Sequence, residues 1–399
     1  MSANYGPEAR APVVTDKTTF NIHPMQTNSQ PSFADTLAEW PVTRVHDLIA
    51  SRTPQDVQTA FRHGVRTEQD IAALLSPHAE AELETMARQA VALTRQRFGN
   101  VIQFYAPLYV SNYCINSCVY CGFNCRNQVN RQRLTIDEAV KEAEYLAKEG
   151  FQHLLLVSGE DPKAVPVEYF EELIGRVHNL FASVNIEIYP MEEEGYRRLV
   201  QAGLDSLTVY QETYDPEVYE QMHPAGPKRD FLHRLQTVER AARAGVTFLG
   251  IGALLGLTDW RTEVFQVALH ARFLQRNFWR QHVSISFPRF RHAAGGFTPP
   301  YSVSDRNLVQ ILTALRLFLP DAGMVLSTRE SAEFRNHVIP LGITRISAGS
   351  KTTPGGYAEA VEAEPQFEVQ DTRSLVEMTE TVVQLGFDPV RKDWDPAYH

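Results

Sequence analysis

Residues 104–125 read Phe104-Tyr-Ala-Pro-Leu-Tyr-Val110-Ser-Asn-Tyr-Cys114-Ile-Asn-Ser-Cys118-Val-Tyr-Cys121-Gly-Phe-Asn-Cys125. A β-rich run leads directly into a loop holding all four cysteines of the 399-residue chain. The first three have the spacing C-x3-C-x2-C, so three thiolates can converge on one soft metal centre. A cubane [4Fe-4S] cluster held by three cysteines keeps one iron open. The amino and carboxylate groups of S-adenosylmethionine (SAM) can chelate that iron, which points to radical chemistry rather than a passive metal staple. Cys114, Cys118 and Cys121 are therefore the expected metal ligands, and Cys125 a bystander. Zinc or free thiols are the competing readings. A zinc site usually takes a second, distant C-x2-C pair, and none exists here.

Outward from this loop, β-rich runs alternate with amphipathic helical segments. Strands are predicted at Phe104–Val110, His153–Val157, Asn185–Tyr189, Ser206–Tyr210, Thr247–Ala253, His282–Phe287, Met324–Ser327 and Thr344–Ile346. Thr135-Ile-Asp-Glu138 is a capping box opening a helix that stops at Gly150. Eight strands with crossover helices predict an α/β fold, a parallel (β/α)8 TIM-type barrel with chemistry at the C-terminal strand ends. The domain reading is a disordered arm over 1–31, rich in Pro, Asn, Thr and Ser, and a helical region over 32–100. The barrel spans 101–363, and a helix and tail over 364–399 pack on it. Helix starts are predicted at Thr53-Pro54 and Ser76-Pro77, and the last helix over 374–385.

Composition bounds the partners. Hydrophobic residues make up 43% of the chain, enough for a sizeable core, and the net charge of −10 argues against nucleic acid or an anionic membrane. No run of about 18 apolar residues occurs, so no membrane span is expected. No basic region followed by an apolar stretch marks a secretory signal. An oxygen-labile cluster and free thiols imply a reducing cytoplasm.

Further motifs fall at predicted strand ends. The second strand runs into Ser158-Gly159-Glu160-Asp161, where a small residue and Gly159 expose backbone and Glu160 can hold an ammonium. The fourth ends in Tyr210-Gln211-Glu212, and Gln211 or Glu212 can hydrogen-bond ribose hydroxyls. The fifth, around Gly252-Ala253-Leu254, suits a flat adenine against backbone at Gly252 and Leu254, with ordinary barrel packing an equal reading.

Pro107–Cys114, Val119-Tyr-Cys-Gly-Phe123, Ser286-Phe-Pro-Arg289, Leu326-Ser-Thr-Arg-Glu330 and Ser347-Ala-Gly-Ser350 together resemble the aromatic amino acid lyase group of radical SAM enzymes. The likeness runs from about Phe33 to Asp395, and Cys-Gly-Phe123 with the Lys392-Asp-Trp-Asp395 tail leans toward the tyrosine lyases of thiamine biosynthesis. The related hydrogenase-maturation lyases build a second cluster on C-terminal cysteines, and this chain has no cysteine after Cys125. The resemblance implies a reaction in which a SAM-derived radical takes a hydrogen atom from the amine of L-tyrosine. The Cα–Cβ bond then breaks to give 2-iminoacetate (dehydroglycine) and a quinoid radical, whose reduction yields p-cresol. It implies that Tyr120 lies beside the adenine, that Gly159 and Glu160 bind the SAM amino group, that Arg329 clamps the substrate carboxylate, and that Tyr109 and Ser347 orient the substrate amine and carboxylate. Without the resemblance, Arg329 reads as a salt-bridged barrel residue, and Arg289 is a weaker candidate of the same kind. Implied partners are a thiazole synthase and a flavodoxin- or ferredoxin-type electron donor. Alternatives are cleavage of another aromatic amino acid such as tryptophan, or a non-catalytic iron–sulfur carrier. His223, in Met222-His-Pro224, receives no role.

Overall fold

The structure, a computed structural model, describes residues 31–359, 361 and 363–390. The arm expected over 1–31, save its last residue, and the Lys392–Asp395 tail lie outside them. Nine strands form one sheet: β1 (Val101–Ser111), β2 (His153–Ser158), β3 (Ser183–Glu187), β4 (Ser206–Glu212), β5 (Phe248–Ala253), β6 (His282–Ser286), β7 (Gly323–Leu326), β8 (Arg345–Ser347) and β9 (Asp388–Val390). Every ladder is parallel, and β1 pairs with both β2 and β8, so the first eight strands close into a barrel. The eight expected strands are all present. The expected third strand is displaced by two residues, because Ser183 pairs with His153 and the ladder ends at Glu187. The short β9, which carries Pro389 and no clear alternation, adds to the start of β1 and was not expected.

Side-chain alternation sorts the wall of the barrel. Phe104, Ala106, Leu108 and Val110 of β1, with Leu154 and Leu156 of β2, join the large core shared with the surrounding helices. Tyr105, Tyr109, Leu155 and Val157 form a separate inner cluster with Phe123. The lumen is polar: Asn185, Ser206, Thr208, Ser284 and Ser286 line a cavity with Tyr105 and Tyr210. Branched aliphatics usually fill such a lumen; small polar ones leave room above it for a ligand.

The crossover helices begin as their sequences dictate. Thr135 and Glu138 form the reciprocal capping box of Ile136–Glu149, and Gly150 ends that helix in the left-handed region. Thr53 and Asp56 do the same for Pro54–His63, with Pro54 in the first turn. Ser76-Pro77 opens a 3-10 turn leading to Leu83–Phe98, and the last helix spans Leu375–Gln384. The N-terminal helices rest on two barrel helices. Gln310 of Asp305–Phe318 donates to the carbonyls of Leu74 and Ser76, and Gln266 of Trp260–Asn277 to that of Trp40.

The segment after β8 is tied down by charge. Asp371 and Arg335 form an ion pair whose side chains are both fully buried, Arg373 donates to Asp371 at 2.6 Å, and Arg335 reaches the Ser347 carbonyl at 2.5 Å. Burial works against the Asp371 carboxylate, but hydrogen bonds and charge from Arg373 and Arg335 hold its pKa below the usual carboxylate range. The stabilisation from this group is therefore present above the unfolded carboxylate pKa and fades as pH falls. Asp371→Ala leaves Arg335 charged and unpaired in the core. We expect a loss of about 3–5 kcal/mol, read as a lower urea midpoint at neutral pH.

Candidate active site

The chain leaves β1 at Ser111 and makes the cysteine loop over the C-terminal rim. Arg131 staples this loop. Its guanidinium donates to the carbonyls of Asn112 (2.6 Å), Phe123 (2.9 Å), Asn124 (2.7 Å) and Asn127 (3.3 Å). Cys114, Cys118 and Cys121 then line one pocket of about 550 Å³ with Gly159, Glu160, Glu212, Lys228 and Arg234. Cys125 is exposed, outside that lining. Among the described residues no set of three or more His, Cys, Asp or Glu is gathered to hold a single metal ion. The three thiols line one cavity, and three cysteines in C-x3-C-x2-C are the donor set of a cubane cluster with one open iron. Burial pushes the Cys114 thiol up to about 11 and raises Cys118 and Cys121 as well, with Lys228 opposing the rise in the last two.

Facing the thiols is a box of alternating charges. Lys228 Nζ lies 2.7 Å from Glu212 and 3.9 Å from Glu160, while Arg234 lies 2.8 Å from Glu160 and 3.7 Å from Glu212. Burial disfavours the Glu212 carboxylate, yet Lys228 and Arg234 pull its pKa below the ordinary value. Asn116, from the cysteine loop, donates to Glu160 at 2.8 Å and accepts from the Lys228 backbone at 2.9 Å. Two glycines permit these approaches. A Cβ on Gly159 would meet the Tyr113 carbonyl oxygen at 2.3 Å, and one on Gly226 (φ +99°) would meet Asn116 Oδ1 at 2.3 Å.

A second pocket, of about 490 Å³, adjoins the first, with Val157 and Glu187 common to both. Tyr109, Arg329 and Ser347 line it together with Phe367. The Arg329 guanidinium makes no ion pair or side-chain hydrogen bond to any described residue; it lies 3.4 Å over the Phe367 ring. Burial lowers its pKa, with Tyr109 and Glu187 opposing that shift. Arg289, by contrast, is saturated. It forks onto Glu330 (Nε–Oε1 3.0 Å), contacts Asp305 at 2.7 Å and donates to the Val303 carbonyl. Arg291 adds bonds to Glu330 and to the Arg329 carbonyl, so Arg289 and Arg291 fix the loop that presents Arg329.

The side chain of Glu187, at the end of β3, makes no hydrogen bond or ion pair within the described residues. Burial, with Glu212 adding to it, pushes its carboxyl up to about 7 against the pull of Arg329, Lys228 and Arg234. No local motif marks it; only the end of the β3 ladder identifies its place.

Some expected residues sit behind these walls. Gln211 is not in the pocket lining, and its amide turns to the Phe231 carbonyl at 3.3 Å. Alternation accounts for this: Ser206, Thr208 and Tyr210 face the lumen, so Gln211 points the other way, while Glu212, at a bulge in the ladder to β5, takes φ +70°, the only positive value at a non-glycine among the described residues. Glu212 continues that inward face of β4 into the cysteine pocket, its strained backbone held by the ion pairs around it. Gly252 and Leu254 are absent from both linings. A Cβ on Gly252 would meet the Ser286 carbonyl oxygen at 2.2 Å, and Leu254 packs with Cys118, Tyr120 and Leu257 beneath the cysteine loop. Tyr120 donates its hydroxyl to His223 Nε2 at 2.8 Å, while His223 Nδ1 donates to the Tyr219 carbonyl at 2.7 Å. Burial, reinforced by Lys228, drives His223 down to about 3, so it stays neutral and orients Tyr120.

Residues 108–267 match the Radical SAM superfamily, and residues 286–388 the Biotin and Thiamin Synthesis associated domain. A closed parallel barrel with three cysteines after its first strand and a Gly-Glu turn after its second is thus a radical SAM enzyme, with a [4Fe-4S] cluster and SAM as its cofactors. The 2-iminoacetate synthase of Salmonella typhimurium (strain LT2) is 42% identical over 90% of this chain and 94% of its own length. That of Escherichia coli K12 is 43% identical over 87% and 92%. The [FeFe]-hydrogenase maturase HydG from Carboxydothermus hydrogenoformans, at 33% identity, superposes with a TM-score of 0.83 over 92% of this chain and 86% of that one. The chain belongs to the 2-iminoacetate synthase family of radical SAM lyases.

The three-thiol pocket makes a clear expectation for anaerobic reconstitution. Cys114→Ala, Cys118→Ala and Cys121→Ala should each lose most bound iron and all SAM cleavage. Cys125→Ala should keep wild-type iron content, measured by colorimetric iron assay and visible absorbance. Equal loss in all four would rule out three-cysteine ligation.

Proposed function

We propose that this chain is an L-tyrosine lyase, cleaving the Cα–Cβ bond to give 2-iminoacetate and p-cresol. The observation that carries this reading is Arg329: a guanidinium in a pocket beside the cysteine pocket, held by its neighbours yet without a described anion of its own. A planar fork suits a carboxylate, and the charge persists at any working pH. The cluster and SAM, held by Cys114, Cys118, Cys121 and the Gly159-Glu160 turn, supply one-electron cleavage and hydrogen-atom abstraction.

The chain's own groups do the rest. Arg329 takes the substrate carboxylate. Glu187, common to both pockets, accepts the substrate ammonium and removes one proton, leaving a neutral amine toward the cysteine side. Phe367 and Tyr109 close the pocket against water, and Ser347, which accepts from the Thr328 backbone at 3.1 Å, keeps the loop before Arg329 in place. Holding both ends of the amino acid converts a difficult encounter into a positioned one. The imine product hydrolyses readily to glyoxylate and ammonia. That lability favours transfer to a thiazole synthase partner, and the cluster needs a flavodoxin- or ferredoxin-type electron donor.

Anaerobic assays with each aromatic amino acid test the substrate. Tyrosine should yield p-cresol, 5′-deoxyadenosine and glyoxylate; an indole product from tryptophan as the main outcome would overturn the assignment. Arg329→Ala should weaken productive tyrosine binding by about 2–5 kcal/mol while 5′-deoxyadenosine formation persists uncoupled, and Arg329→Lys should recover part. Below pH 7 Glu187 is protonated and cannot accept the ammonium. The kcat/KM for p-cresol should therefore fall as pH drops through about 7, and Glu187→Gln should flatten that limb.

A further inference from the structure

Gln366 joins the two pockets through one amide. Tyr109 donates its hydroxyl to Gln366 Oε1 at 2.8 Å, and Gln366 Nε2 donates to Cys121 Sγ at 3.8 Å. A Cys121 thiolate ligating the cluster can only accept, so the amide nitrogen must face the sulfur, which leaves the amide oxygen to take the phenol's proton. Its backbone is held too. The Gln366 N–H donates to the Thr352 carbonyl at 2.9 Å, and a Cβ on Gly122 would meet the Gln366 carbonyl oxygen at 2.6 Å. The next residue, Phe367, stacks on Arg329. Two consecutive residues thus touch a cysteine of the cluster pocket and the arginine of the substrate pocket.

We propose that Gln366 is a positioning residue that couples occupancy of the substrate pocket to the reduction potential of the cluster. The proposal rests on the tyrosine lyase reading for the identity of the occupant. A donor on a cluster sulfur stabilises the reduced, more negative state and so raises the potential. The Tyr109 hydroxyl polarises the amide and strengthens its N–H toward Cys121. Substrate in the pocket displaces water from this chain of bonds, and in the drier surroundings each bond acts more strongly. Reduction then becomes easier once the substrate is in place, which limits cleavage of SAM in its absence.

The test is an EPR-monitored redox titration of the reconstituted full-length enzyme with SAM, with and without tyrosine. Wild type should show a midpoint that rises on adding tyrosine. Gln366→Leu should show a lower midpoint and no rise, with a larger share of 5′-deoxyadenosine formed without p-cresol. Tyr109→Phe, which keeps the Gln366 donor but not its polarisation, should show a midpoint between those of wild type and Gln366→Leu and lose the rise, and it decides the matter if Gln366→Leu fails to retain iron. A Gln366→Leu or Tyr109→Phe enzyme with the full wild-type response overturns the proposal. Wild type that forms p-cresol without any tyrosine-dependent rise also overturns it, leaving the lyase reading intact. Absence of p-cresol alongside a lowered Gln366→Leu midpoint overturns the lyase reading instead, and the amide–cluster contact stands.

Discussion

Strand β1 pairs with β2 from Tyr105 to Ser111 and, nearer its start, with β8, and that double pairing is what closes the sheet. Closure sends the C-terminal ends of all eight barrel strands to one rim. The cysteine loop leaves β1 there, the Gly159-Glu160 turn leaves β2, Glu187 ends β3 and the Arg329 loop leaves β7. None of these groups is close to the others in sequence, and each needs only to stand at the end of its own strand. Small polar side chains in the lumen leave the space above them open, so the rim surrounds two adjoining pockets rather than a filled core.

Charge inside that rim is arranged so that almost every buried ion is answered. Glu160 and Glu212 share Lys228 and Arg234, and Arg289 and Arg291 share Glu330. A buried charge without a partner is costly, so most such groups close on one another. Arg329 and Glu187 depart from this pattern, one cationic and one acidic, both facing the second pocket. An amino acid carries the two opposite charges that would answer them. The bulge at Glu212 belongs to the same logic. A strained backbone at a strand end persists because the surrounding ion pairs fix the side chain where it is needed.

The sequence by itself determined whatever depends on near neighbours. Eight β-rich runs separated by amphipathic helices specify a barrel, because strand and helix periodicities are local properties. The capping boxes at Thr53 and Thr135 and the C-x3-C-x2-C loop are local in the same way, as is the Gly-Glu turn after β2. Arg329 and Arg289 sit in similar strand-end motifs, and only the family resemblance ranked Arg329 first; the physical difference between them appears in the tertiary structure. They differ only in whether an acid from elsewhere in the chain reaches them. Taking Glu212 over Gln211 turned on which face of β4 points into the barrel, and closure of the sheet decides that. Lys228, Arg234, Arg131, Glu187 and Gln366 carry no motif at all. Gln366 meets Cys121 across 245 positions of sequence, and His223 accepts from Tyr120, 103 positions earlier. Such groups acquire a role through burial and pairing, and those are set by packing between distant segments, which no local pattern encodes.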